Sequence, residues 1–207
     1  MMSMSIPYER TGRTTQKART RAALTDAART LLAAGGSPSV EDAAEAAGIS
    51  RATAYRYFPN QRALLVAAHP EVEVTDLLGE DAPQDAHERL DRTVAELVRL
   101  TVETEPELRT MLRLSLEPGP PRQLLLRQGR AIGWIEQALA PLQARLAPAQ
   151  LRRLTLAIRA ACGIEALIWL TDVAGLSRSD ASELMRWSAL ALLQTALAEA
   201  DERKRRP

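Results

Sequence analysis

Cysteine is almost missing from this 207-residue chain: Cys162 stands alone and has no partner for an internal disulfide. Histidine stops at two, His69 and His87, neither with a cysteine nearby, so no structural zinc cluster can be assembled and no metal is expected. The sequence also lacks a Gly-rich phosphate loop, a histidine at usable spacing from a nucleophile, and a pair of acid-base carboxylates. No catalytic residue is therefore nominated, no cofactor is expected, and the chain is not expected to be an enzyme. A net charge of +1, from 27 basic and 26 acidic side chains, excludes a wholesale polycation. No run approaches the roughly 20 uncharged apolar residues of a membrane span. Met1 to Arg10 lacks the apolar core of a secretory signal, so the expectation is a cytoplasmic chain with no membrane partner.

What is present points to helices. Hydrophobic residues make up 46% of the chain, which excludes intrinsic disorder, and aromatics only 3%, while Ala, Leu, Arg and Glu dominate and no long run alternates apolar with polar. The fold class is all-α. Leu24, Ala27, Ala28, Leu31 and Leu32 form the stripe of an amphipathic helix, predicted over about 14–34 and ended by Gly35-Gly36. Ser39 opens a short helix that carries Val40, Ala43, Ala44 and Ala47 and stops at Gly48. Ser50 caps a third, Arg51 to about Phe58, and a fourth runs from Gln61 to about Ala68. Residues 71–86 read as an irregular link or the frayed start of a long helix. Longer helices are predicted at about 84–103, 105–116, 121–146, 149–173 and 178–202, separated by prolines and Gly175. The domains divide as 1–70 and 71–207.

The charge follows that division. Residues 1–70 hold nine basic and five acidic side chains, residues 71–207 eighteen and twenty-one, so the halves carry +4 and −3. Arg10, Arg13 and Lys17 belong to a basic arm leading into the first helix, the electrostatic footprint of a phosphate-backbone binder. The second and third helices, joined by Ala47-Gly48-Ile49-Ser50, have the spacing of a helix-turn-helix, whose second helix enters the DNA major groove. Its N-terminal residues here are Arg51 and Thr53, followed by Tyr55 and Arg56. Arg bonds guanine bidentately, and a Thr methyl packs on thymine. Tyr55 and Tyr57 offer hydroxyls and flat faces to the duplex, whereas Phe58 is assigned to the small core.

These residues carry a family resemblance. Lys17 to Ala68 resembles the N-terminal domain of TetR-family bacterial transcription regulators at Ala27-Ala28, Leu31-Leu32, Gly35, Ser39-Val40, Ala43-Ala44, Ala47-Gly48-Ile49-Ser50, Tyr55, Tyr57-Phe58 and Ala63-Leu64-Leu65. The resemblance implies a homodimer whose recognition helices read a near-palindromic double-stranded operator, repressing transcription until a small-molecule effector binds the C-terminal domain. By position it makes Arg51, Thr53, Tyr55, Arg56 and Tyr57 groove-facing, and Ser39 and Tyr55 phosphate contacts. Three positions depart from the pattern: Gln61 replaces a phosphate-holding Lys and can donate a hydrogen bond but no charge, Gly36 replaces an aromatic, and Ala43-Ala44 lacks an Ile.

In 71–207 the last two predicted helices are apolar on more than one face. Leu154, Ile158, Leu167, Leu170, Leu184, Trp187, Leu190, Leu193 and Leu197 are nominated for a dimer interface, a four-helix bundle made from two copies of the pair. Met111, Arg113, Arg130, Trp134, Glu165 and Trp169 are nominated for a ligand pocket; a buried Glu165 needs a cationic partner from another helix, the second copy or a ligand. Two other readings stay open: an all-α enzyme or carrier docking an acidic protein, and a DNA-binding regulator without a small-molecule ligand.

Overall fold

The computed structural model describes residues 8–68, 74–116 and 130–205, with the side chains of the first helix from Thr15 onward. Among these residues there is no strand. They cluster as two compact units, one of 8–68 with 109–116 and the other of 74–108 with 130–205.

The first unit begins with α1, Tyr8–Ala33. Its helical course reaches back through the expected basic arm, a run of ordinary helix formers in which the single Gly12 costs only about 1 kcal/mol. Leu24, Ala28 and Leu32 are fully enclosed along one face. Gly35, at φ +79°, ends α1 by donating its N–H to the Leu32 carbonyl at 2.8 Å. Gly36 follows with its N–H 3.0 Å from the Leu31 carbonyl, and a Cβ there would stand 2.9 Å from that same oxygen. This path of the chain therefore favours glycine at the position where the family resemblance has an aromatic.

Three short helices complete the unit: α2 Val40–Ala46, α3 Arg51–Tyr57 and α4 Gln61–Ala68. Val40, Ala43, Ala44, Ala54, Phe58, Leu64 and Leu65 close on the α1 stripe. Met111 also belongs to this core, with Leu114 packed against it, and the Thr110 hydroxyl reaches the Gly36 carbonyl at 3.5 Å. Met111, nominated for a ligand pocket, is thus a core residue of the first unit, supplied by α6, Glu105–Leu116.

In the second unit, α5 (Ala86–Glu103) is capped by Asp85, whose carboxylate accepts from the backbone N–H groups of His87 and Glu88. It buries Leu90, Val94, Leu97, Val98 and Thr101, the periodicity of one helix face. The 121–146 prediction resolves into α7, Arg130–Ala138, and a 3₁₀ turn, Ala140–Ala144, with Pro141 at its second position; residues 121–129 lie outside the described residues. The 149–173 prediction resolves into α8 (Pro148–Ala161), α9 (Ile164–Ile168) and a π turn (Trp169–Val173), because Cys162 and Gly163 leave helical geometry. α10, Arg178–Arg205, packs along α5 and α8.

By length and composition alone Pro148–Val173 is apolar enough to cross a bilayer; here it is broken at Cys162-Gly163, with 44% of its most apolar stretch buried inside the chain. At the junction of α5 and α6, the carboxylate of Glu105 is 7% exposed and accepts both Nε (2.7 Å) and Nη2 (3.1 Å) of Arg178. That bidentate pair fixes the start of α10.

Candidate nucleic-acid interface

The interface is built from a reciprocal cap on α2, a serine cap on α3 and one glycine. Ser39 Oγ accepts from the Asp42 N–H at 3.1 Å, while the Asp42 carboxylate accepts from both the N–H and the hydroxyl of Ser39 at 2.8 Å. This capping box starts α2 and holds the Asp42 carboxyl below its ordinary range, first through the Ser39 backbone N–H. Gly48, at φ +64°, turns the chain; its N–H donates to Glu45 and that of Ile49 to Ala44. Ile49 is half-buried against the core of the unit. Ser50 then caps α3, accepting from the Thr53 N–H at 3.3 Å and donating its hydroxyl to Thr53 Oγ1 at 2.9 Å.

Of the seven residues of α3 only Ala54 is buried. Arg51, Tyr55 and Arg56 are exposed, and Thr53 and Tyr57 half-buried, Tyr57 against the core. Phe58 is enclosed at 1% exposure, with the guanidinium of Arg21 5.2 Å from its ring centroid. A short helix that buries one alanine and presents two arginines and a tyrosine is shaped to be inserted elsewhere.

Other nominated positions fare differently. Lys17 is exposed on α1, and Arg10 and Arg13 fall within the same helix. Gln61 does not offer its amide outward: Nε2 donates to the carbonyls of Ser37 and Pro38, both at 3.1 Å, and to Ser37 Oγ at 3.3 Å. Both its hydrogens are spent on tying α4 to the loop before α2, and the remaining carbonyl oxygen repels a phosphate. Ser39 is likewise committed, its hydroxyl and N–H both pointing at Asp42.

One residue escaped the sequence reading. Glu41, on the first turn of α2, accepts the Tyr55 hydroxyl at 2.7 Å and a guanidinium nitrogen of Arg51 on the same Oε1. Arg51 also lies 5.9 Å from the Tyr55 ring centroid. The Tyr55 hydrogen bond first, and the Arg51 charge after it, hold the Glu41 carboxyl below its ordinary range; reciprocally, Glu41 raises the Tyr55 phenol.

A four-helix head with an outward helix entered through a glycine turn has the form of a helix-turn-helix DNA-binding domain. Residues 24–68 match the family model described as bacterial regulatory proteins, tetR family. The match supports a TetR-family transcription regulator, carried by this domain. No curated protein matches the chain.

None of the nominated pocket residues lines either of the two cavities described below. In the second unit Trp134 is buried in α7 and Trp169 is 58% exposed on the π turn; Arg113, in the part of α6 that belongs to the first unit, is exposed. Glu165 has the expected cationic partner within the chain: Arg159 Nη1 at 3.5 Å, passing so close over Gly163 that a Cβ there would lie 1.8 Å from it. Two open cavities are lined by other residues. One, of about 440 Å³, lies between α5 and α10 along Val98, Arg99, Val102, Arg178, Ser182 and Arg186. The second, of about 490 Å³, is bounded by Glu136, Leu139, Gln143, Leu146, Leu151, Arg152 and Thr155.

The nominated dimer face divides. Leu154, Ile158, Leu167, Leu170 and Leu193 are enclosed by the chain's own core, at 7% exposure or less, which leaves them no face for a second copy. Leu190 and Leu197 are half-buried, while Leu184 (38%) and Trp187 (66%) are exposed. Leu156, Trp169 and Val173 join them as large exposed apolar side chains on α8, the π turn and α10.

Proposed function

We propose that the chain is a homodimeric repressor working in the cytoplasm, which binds a near-palindromic double-stranded operator through α3 of each copy and is released by a small-molecule effector held in the second unit. The observation that carries it is the outward face of α3, where Arg51, Tyr55 and Arg56 are exposed and only Ala54 is buried. Such a helix gives the fold nothing by its outer face; a major groove gives that face a use.

Dimerisation is supported by five large apolar side chains left exposed on the last helical segments, a cost that contact with a second copy would reduce. A two-fold axis there is the simplest way to set two recognition helices about 34–36 Å apart, one turn of duplex. The effector role is supported by the two cavities of about 440 and 490 Å³, within the roughly 300–1,000 Å³ of small-molecule sites. In the first, the guanidinium groups of Arg99, Arg178 and Arg186 are already matched by Glu96, Glu103, Glu105 and Asp91, which favours an amphipathic effector over a strongly anionic one. The effector must favour a dimer geometry that fits DNA poorly, and by linkage operator DNA must weaken its binding by the same factor.

A salt titration of the full chain against genomic fragments tests the reading. The expected result is an affinity that falls linearly with salt on a logarithmic plot and differs among fragments. An affinity indifferent to both salt and sequence would refute it.

A further inference from the structure

The contact between Glu41 and α3 goes beyond the reading of α3 as the DNA-binding helix, and rests on it. α3 itself carries no acidic residue, and Asp42, the neighbouring acid, is consumed by the capping box. Glu41 is therefore an anion set against the two groups of the recognition helix best able to take a phosphate: the Arg51 guanidinium and the Tyr55 hydroxyl, both on one carboxylate oxygen. The three side chains reach solvent, so an incoming duplex meets them already paired with one another.

We propose that Glu41 is a specificity-determining residue of the DNA interface. It acts by opposing phosphate and tolerating base edges. A phosphate approaching Tyr55 or Arg51 must displace, or lie beside, a charge of its own sign, and that repulsion is paid at every sequence. The O6 and N7 acceptors of guanine are neutral, so Glu41 does not repel them. The guanidinium has five N–H donors, and its pairing with Glu41 leaves enough of them for a bidentate contact while fixing the plane in which they point. Glu41 thus selects against backbone-only encounters and leaves the correct base contact in place.

Glu41→Gln isolates the charge, since the amide keeps an oxygen for the Tyr55 hydroxyl. The full-length chain and the variant are each titrated with a random-sequence 30-base-pair duplex and with a duplex enriched from the same random pool by the unaltered protein. The variant is expected to bind the random duplex about two- to five-fold more tightly, the range of an exposed ion pair, with a salt slope steeper by up to about one ion. Its affinity for the enriched duplex rises less or falls, so the ratio between the two narrows. In an Arg51→Gln background the same substitution no longer narrows the ratio, because the base contact that Glu41 leaves in place is the one Arg51 makes.

An unchanged ratio, weaker binding to the random duplex, or an undiminished effect without Arg51 overturns the proposal while leaving α3 as the DNA-binding helix. If the unaltered protein binds neither duplex in a salt-dependent way, the reading of α3 falls and this proposal falls with it. Matching thermal unfolding of the two proteins shows that the comparison is between folded molecules.

Discussion

Arg51 and Arg56 project from the same short helix but differ in company: Arg51 is paired with Glu41, whereas Arg56 stands exposed in the last turn. Replacing either by Ala is expected to cost about 1–3 kcal/mol of operator binding and to relax preference at particular base pairs, while Tyr55→Ala weakens all DNA. Competition binding against single-base operator variants checks this, and a uniform loss in the arginine variants would remove their base-reading role. In the second unit, the bidentate grip of Arg186, by hydrogen bonding first, holds the Asp91 carboxyl below its ordinary value. A lowered folded pKa means stability that is present above the ordinary carboxylate range, near pH 4, and lost as pH falls through the folded value. Asp91→Asn should therefore cost about 0.5–1 kcal/mol in urea unfolding at pH 7, a modest figure because Arg186 is half exposed, and the difference should shrink as pH falls below the ordinary carboxylate range. Cys162 tests burial directly. Its thiol donates to the Met185 carbonyl at 3.4 Å, and burial pushes its pKa up to about 12. A disulfide reagent at pH 8 should label it only as the chain unfolds; stoichiometric labelling of the folded protein within seconds would contradict the structure.

At the scale of the element, α2, the turn and α3 were legible because their determinants are local. Ser39 with Asp42, Gly48, and Ser50 each act within four residues of themselves, so a linear reading finds them. Gly48→Ala puts a price on this turn: no atom lies within 4 Å of the new Cβ, so the cost is purely conformational, about 1–2 kcal/mol at φ +64°. Urea denaturation should report that loss, and an unchanged midpoint would mean that the turn relaxes into another conformation. Glu41 was not legible because its partners lie ten and fourteen residues on, across an angle that only the packed helices define. Gln61 misled for the same reason: its type suits a phosphate, but the loop at Ser37 and Pro38 claims it first. In α8 to α10, a helix apolar on two faces does not state which face is turned to its own chain. Leu154 and Leu193 point inward where Leu156 and Trp187 point out.

For the whole molecule, the proposed dimer would bury the apolar residues left exposed on α8, the π turn and α10. Trp187→Glu is expected to convert a dimer to a monomer in sedimentation, with operator affinity falling because two half-sites are no longer engaged together. A dimer that persists with undiminished stability places the interface elsewhere. The near-zero net charge conceals a basic head and an acidic remainder, a distribution that favours duplex at the head over the rest of the chain.

The head is also discontinuous along the chain, and this bears on its birth. α1 to α4 are complete at Ala68, yet Met111 and Leu114 belong to the same packed cluster. At about 5–20 residues per second, the ribosome needs roughly 2–9 s to travel from residue 68 to residue 111. During that interval the chain holds Leu24, Leu32 and Phe58 but neither Met111 nor Leu114, and α5 is synthesised before both. The core beneath α3 is therefore completed only by residues synthesised after α5, and a fragment ending at Ala68 would lack both of them.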